Sequence, residues 1–219
     1  MKIAIVLKGG GEYGPEHVEV LHDNILRKLN WRKWDNHVQF VCLTDMDVPY
    51  QSRPLKDNLR GWWSKLELFR PGQFGDEKVL YFDIDTIVLD DFSFLFDHDG
   101  EFCMLRDFYH PHLCQSSVMI FRPEHAEKVW EKYRAYRDRG EKFQRPRFRG
   151  DGRRGDQTFV AAAVNNKCFF QDLWPGRVVS YKVHCCDRHK RFVGFPERAA
   201  VVCFHGRPRP FDTEHWGKY

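Results

Sequence analysis

The 219-residue chain has no long apolar run at its start, no paired cysteine spacing and no large excess of charge of either sign. Its opening apolar stretch, Ile3 to Leu7, is five residues long between Lys2 and Lys8, too short for a signal segment or a membrane span. Thirty-five Lys and Arg face 31 Asp and Glu, and a net charge of +4 suits an anionic ligand without demanding nucleic acid. The seven cysteines are irregularly spaced, several inside apolar runs such as Val41-Cys42-Leu43 and Val202-Cys203-Phe204, as buried thiols of a reducing compartment are. Zinc would want spacings such as C-x-x-C; only Cys185-Cys186, with His184 and His189 nearby, approaches one. Internal repeats and low-complexity tracts are also missing. The expectation is a cytoplasmic, soluble protein of one domain.

What is present is an alternation of apolar strand and helix patterns. Strand Lys2 to Leu7, helix Pro15 to Leu29, strand Val38 to Thr44, helix Trp62 to Phe69 and strand Val79 to Asp85 make a β-α-β-α-β start. Further on, strands are expected at Glu101 to Leu105 and Ser117 to Phe121, and helices at Glu124 to Tyr136 and Asp156 to Val164. Ser180-Tyr181-Lys182 reads as a late strand. Such alternation predicts an α/β sheet flanked by helices, with ligands beyond the carboxyl ends of the strands. Aromatics at 16% supply core volume and ring surfaces for stacking.

The most informative segment is Val79-Leu80-Tyr81-Phe82-Asp83-Ile84-Asp85-Thr86. In an extended chain Asp83 and Asp85 project the same way, roughly 6 to 7 Å apart, with Ile84 turned back into packing. Two carboxylates so placed want a hard divalent cation, and hence a diphosphate. The plainer alternative is a strand followed by an acidic turn.

Gly9-Gly10-Gly11-Glu12-Tyr13-Gly14 fits G-x-G-x-x-G between a strand and a helix, but Asp45, the acid ending the second strand, lies further on than a dinucleotide fold places its ribose ligand. Close backbone approach to some nucleotide is the inference that remains. Arg145 to Gly155 carries five arginines and three glycines, a solvated surface loop or a cationic lid over phosphates. Two other functional classes stay open. Asp-x-Asp also opens the haloacid-dehalogenase phosphatases, although there it ends the first strand of the sheet, and the arginine loop at 145–154 also suits a nucleic-acid-binding module.

Taken together, Trp63-Ser64-Lys65-Leu66-Glu67-Leu68-Phe69, the strand from Val79 through Asp83-Ile84-Asp85 to Asp90, and Leu95-Phe96 resemble the GT-A-fold glycosyltransferases, especially family 8, the glycogenin-like group. Gln115-Ser116-Ser117 resembles that family's Asn-Ser-Gly strand, Gly155-Asp156-Gln157 its Gly-Asp-Gln, and Phe204-His205-Gly206-Arg207-Pro208-Arg209-Pro210 its C-terminal segment. Gln115 replaces the usual Asn, and the family histidine lies three residues before the glycine, where this chain has Cys203.

The resemblance implies a single GT-A-type, Rossmann-like domain with a mixed, mostly parallel sheet, residues 1–97 forming the nucleotide half and 98–219 the sugar and acceptor half. It implies a metal-dependent hexosyltransferase using a nucleotide-diphosphate sugar, UDP-linked by family default, with retention of configuration. Asp83, Asp85 and His205 would ligate Mn2+ or Mg2+, His205 by a shift of its loop. Leu7, Gly9, Tyr13, Asp45, Arg60, Lys65, Ile84, Gln115, Gly206 and Arg209 would join them around the donor. Asp156, Gln157 and Lys65 would serve the reacting sugar, with an N-cap as the alternative role for Asp156. The acceptor, whether saccharide, protein or modified nucleic acid, stays open.

Overall fold

The computed structural model describes residues 1–30, 34, 37–100, 102–139 and 155–219. Ten strands lie among them: β1 (Lys2–Leu7), β2 (Gln39–Thr44), β3 (Ser52–Pro54), β4 (Val79–Phe82), β5 (Thr86–Val88), β6 (Phe102–Arg106), β7 (Cys114–Phe121), β8 (Lys167–Phe169), β9 (Val178–Ser180) and β10 (Val201–Cys203). Five α-helices are described, α1 (Pro15–Lys28), α2 (Pro123–Asp138), α3 (Asp156–Ala163), α4 (Phe170–Leu173) and α5 (Tyr181–His184). Seven strands form one sheet in the order β3-β2-β1-β4-β7-β6-β8, and β5-β10-β9 form a second. In the large sheet only β7 runs antiparallel to both of its neighbours; the other pairings are parallel, giving the mixed, mostly parallel α/β sheet expected.

The central strands are buried on both faces, which is why they read as continuous apolar runs rather than alternating ones. In β1, Ile3, Ile5 and Leu7 pack on one side with Val18, Leu21 and Ile25 of α1, while Ala4 joins the opposite layer. Helix α1 begins at Pro15, where a missing N–H costs nothing, and carries Glu16 in its first turn and Arg27 and Lys28 in its last, as the helix dipole favours. Asn24, buried on this helix, pairs both ends of its amide with Val88 of β5, donating to the carbonyl and accepting from the N–H at 2.6 Å each. That contact ties α1 to the small sheet.

On the other face, Gly61–Phe69 forms a 3-10 helix instead of the α-helix expected at Trp62 to Phe69. Seven consecutive residues, Trp63 through Phe69, are buried in it, so the segment has no solvent face to give it an α-helical period. At its end the buried Glu67 accepts from the Lys56 N–H (3.0 Å), the Asp57 N–H (2.6 Å) and Arg70 (2.9 Å), fixing the polar segment that precedes it.

The acidic segment also differs from expectation. Extended pairing stops at Phe82; Asp83 to Asp85 form a turn, closed by the Thr86 N–H on the Asp83 carbonyl at 3.1 Å, and Thr86 starts β5 in the other sheet. The strand-alternation account of the pair therefore does not hold. The two aspartates are the link between the sheets, braced by the Asp83 N–H on Ser117 O (2.7 Å) and the Phe204 N–H on Asp85 O (3.2 Å). Likewise Ser180 ends β9, while Tyr181 and Lys182 start α5, the Ser180 hydroxyl capping it by accepting from the Val183 N–H at 3.2 Å. No helix among the described residues is long and apolar enough to cross a membrane.

Candidate active site

Strands β2, β1 and β4 run in parallel, so Thr44, Leu7 and Phe82 end along one edge of the sheet, where the turns that follow hold polar side chains away from the core. A cavity of about 560 Å³ opens there. Leu7, Gly11 and Tyr13 line its β1 side, Asp83, Ile84 and Asp85 lie on the inter-sheet turn, and Trp62, Lys65, Asp156 and Gln157 line the side facing the 3-10 helix and α3.

Its floor is a buried charge cluster. Lys65, 6% exposed, places Nζ 2.8 Å from Asp83 Oδ1, 2.8 Å from Asp156 Oδ2 and 3.0 Å from Ser116 Oγ. Burial opposes the ammonium's charge, but Asp156 and Asp83 more than offset that and hold its pKa above the ordinary lysine value. Ser116 Oγ donates to Asp156 at 2.6 Å, and Tyr81 donates its hydroxyl to Asp83 at 2.5 Å. Asp156 is the first residue of α3, with Gly155 at the cap position, so its carboxylate is committed to Lys65 and Ser116 and does not cap the helix.

Asp85 takes different partners. Arg209 Nη1 is 2.7 Å from Asp85 Oδ2, and the Tyr13 hydroxyl donates to the same oxygen at 3.2 Å. Burial and then the charge of Asp83 push the Asp85 carboxyl up to about 7, against the opposing pull of Arg209 and Lys65. The Tyr13 phenol is pushed far up by burial and by Asp85, so it stays a donor. Arg209 also pairs with Glu12 Oε1 at 2.5 Å, and Arg207 bridges Glu12 (2.8 Å) and Asp212 (2.7 Å). Glu12 is thus a site residue that the motif spacing did not single out.

Two carboxylates in one turn, one of them fully buried and disfavoured as an anion by the other, form a donor set that fits a hard divalent cation. His205 lines the same cavity, but its side chain is engaged elsewhere. Its Nε2 is 2.7 Å from Ser180 Oγ, its ring stacks on Phe108 at 6.0 Å and meets Tyr109 edge-on at 5.5 Å. Asp83, Asp85 and His205 do not form a set whose ligand atoms all lie within 4.8 Å of one another. Burial and the nearby Lys182 lower the imidazole to about 4, Asp107 opposing them. The side chain that feels the two aspartates is instead Cys203, fully buried on β10, whose thiol is pushed well up by burial, Asp83 and Asp85.

The remaining predicted residues divide. Leu7, Tyr13, Ile84, Gln115, Gln157 and Arg209 line the cavity. Gln115 is turned onto its own strand, bonded to the Ser117 hydroxyl and accepting from the Ser117 N–H at 3.1 Å. Gly9 and Asp45 stand behind the cavity wall, the Gly9 N–H donating to Asp45 at 2.7 Å and Lys8 pairing with the same carboxylate. Against the cost of burial, those bonds hold Asp45 below the usual carboxylate range. Gly206, in the left-handed region at φ +69°, shapes the loop between His205 and Arg207 without lining the cavity. Arg60 is exposed outside the lining. Residues 145–154 of the basic loop lie outside the described residues. Trp62, 63% exposed at the cavity mouth beside Gly155, was missed because an apolar residue within an apolar segment reads as core.

No family model matches the chain, and no curated protein matches it in sequence. Among solved structures it is similar to the galactosyltransferase LgtC in complex with donor and acceptor sugar analogs, with a TM-score of 0.63 and 13% identity over 96% of this chain and 89% of that one. It is also similar to the glycosyltransferase GlyE of Streptococcus pneumoniae, with a TM-score of 0.64 and 13% identity over 96% of this chain and 56% of that one. The bifunctional glycosyltransferase WbbM gives a TM-score of 0.65 and 11% identity over 98% of this chain and 47% of that one. The chain therefore shares the fold of these glycosyltransferases.

Proposed function

We propose that the protein is a glycosyltransferase that moves a hexose from a UDP-linked donor to an acceptor hydroxyl, with retention of configuration, in the manner of the family 8 enzymes its motifs resemble. The observation that carries this reading is the joining of Asp83, Asp85, Asp156, Lys65 and Arg209 in one cavity at the carboxyl edge of the sheet. The haloacid-dehalogenase reading is disfavoured, because the acidic pair follows β4, with three strands before it in the chain, and not the first strand.

Leu7, Gly11 and Tyr13 form the wall for the nucleoside, with Asp45, Lys8 and Gly9 bracing the turn behind it. Asp83 and Asp85 would hold the divalent ion, Mn2+ or Mg2+, which when bound neutralises charge on the departing diphosphate. Arg209 brings a permanent cation beside Asp85 and is placed to donate to a phosphate oxygen in a charge-assisted hydrogen bond. Lys65 holds Asp156 and Asp83 in register, and Asp156 with Gln157 offers acceptors and donors to the sugar hydroxyls. In a retaining reaction departure and attack use the same face of the sugar. A separate general base on the far side is then unnecessary.

A thermal-shift series with nucleoside diphosphates, with and without Mn2+, tests the reading. At a hundred times its dissociation constant a ligand should add about 2.7 kcal/mol of stability. UDP is expected to stabilise the protein in a metal-dependent way, and incubation with UDP-hexoses is expected to release UDP. A shift that is absent for every diphosphate, or that survives intact in Asp85→Asn, overturns the proposal.

A further inference from the structure

We propose that His98, Cys103 and Cys168 form a second metal site, for a thiophilic cation of the zinc class, at the end of the sheet opposite the cavity. These three are the one group of three or more His, Cys, Asp or Glu side chains among the described residues whose ligand atoms all lie within 4.8 Å of one another. The cysteines are brought together by register, because β6 and β8 are parallel neighbours in which Cys103 pairs with Cys168. Cys103 lies opposite Ile120, near the end of β7, whereas Gln115, Ser116 and Ser117 near its beginning line the cavity. The trio therefore has no part in the chemistry proposed there.

The distances fit a shared ligand set. Cys168 Sγ is 3.4 Å from His98 Nε2. With Zn–S near 2.3 Å and Zn–N near 2.0–2.1 Å, the S···N edge of a tetrahedral site is about 3.5 Å. His98 is held from both sides. Lys78 Nζ donates to the His98 carbonyl at 2.8 Å and the Phe96 carbonyl at 2.6 Å, and the edge of the ring meets Trp174 at 5.8 Å. Gly100 leaves the ring its space, since a Cβ there would come within 2.9 Å of His98 Cε1. Two thiols and an imidazole are soft-to-intermediate donors, which excludes the Mg2+ or Ca2+ type of ion and selects zinc or cuprous copper. Water or buffer would complete the fourth position on the half-exposed side. Cys103 is buried and its thiol is pushed far up, first by its hydrogen bond with Cys168 and then by burial. Both thiol protons are released to solvent on binding, and affinity rises with pH. Bound metal would join the edge strand β8, strand β6 and the segment after Phe96, adding to the β6–β8 pairing and to the bonds between Arg106 and Gln171 and Asp172.

The test uses the full chain, reduced and metal-free, titrated with Co2+ and then with Zn2+. One equivalent of Co2+ is expected to give thiolate-to-cobalt charge-transfer absorption and the strong visible bands of a tetrahedral site, and Zn2+ is expected to abolish both. The carboxylates Asp83 and Asp85 produce no such absorption. Cys168→Ser and His98→Ala should each lose the bands; the half-exposed His98 keeps the test valid if the cysteine variant folds poorly. Cys186→Ser should keep them. Absence of thiolate absorption in the wild type overturns the proposal. So does absorption that survives in both Cys168→Ser and His98→Ala, or that disappears in Cys186→Ser.

Discussion

The Lys65 ammonium lies 2.8 Å from the Asp156 carboxylate, and through this contact the 3-10 helix, the start of α3 and the inter-sheet turn at Asp83 share one buried cation. Removing it strips Asp83 and Asp156 of the ammonium that lies 2.8 Å from each.

Lys65→Ala is therefore expected to cost about 3–5 kcal/mol, the usual penalty for stripping one partner from a buried pair. Urea unfolding at neutral pH measures it. Lys65→Met keeps the volume and loses the charge, so a loss similar to that of alanine shows that charge, not packing, is responsible. A near-neutral result for both would mean that the carboxylates protonate or take up solvent cations instead.

Asn24→Ala should also be strongly destabilising. The amide of Asn24 is the hydrogen-bond partner of both Val88 backbone groups at 2.6 Å, and an unpaired buried group costs about 1–3 kcal/mol. A total loss of about 2–6 kcal/mol is expected from the two. Hydrogen exchange at the Val88 amide reports the same change locally, and its protection should fall first.

Much of this architecture was legible in the chain because the parallel strands are buried on both faces. Lys2–Leu7, Gln39–Thr44 and Val79–Phe82 appear as apolar runs, and Pro15 with Glu16 marks the start of α1. The acidic pair was legible as a site, but its geometry was not. A run of apolar residues continuing through Thr86-Ile87-Val88 looks like one strand, and the change of sheet is set by pairing with β10, which is distant in sequence. The 3-10 segment was hidden for a related reason, since a helix with no polar face has no period to read. His205 was assigned from its place beside Gly206, yet its ring follows Ser180 and Phe108, contacts made by tertiary packing. The metal-ligand trio was invisible, because strand register and not spacing brings Cys103 to Cys168.

Part of the pH dependence of stability follows from three imidazoles held below their ordinary value. His205 is lowered to about 4, and His184 and His215 are lowered by burial as well. Between the unfolded value near 6.5 and the folded value near 4, the unfolded chain binds more protons, so stability falls as pH drops through that window. Asp85, raised to about 7, acts in the opposite sense over part of the same range, so a single variant isolates the histidine. In His205→Gln the stability lost between pH 7.5 and pH 5 should be smaller than in wild type. An unchanged slope would show that His205 is charged in the folded protein.

Trp62 gives the sharpest separation of binding from folding. It is 63% exposed, so Trp62→Ala should change stability by no more than about 0.5 kcal/mol. Its indole nevertheless stands at the cavity mouth beside Gly155, on the side of Asp156 and Gln157, where the sugars would enter. A ring face in that position would stack on the apolar face of a pyranose, and loss of such a contact would cost on the order of 1.4 kcal/mol, a factor of ten in binding. With the reacting groups untouched, KM should rise about tenfold while kcat stays within about twofold, because the contact is the same in the ground and transition states. If kcat falls instead with KM unchanged, Trp62 acts on the reaction and not on sugar binding. Trp62→Phe retains a ring face and should recover most of the lost affinity, an outcome that steric filling by Leu would not reproduce.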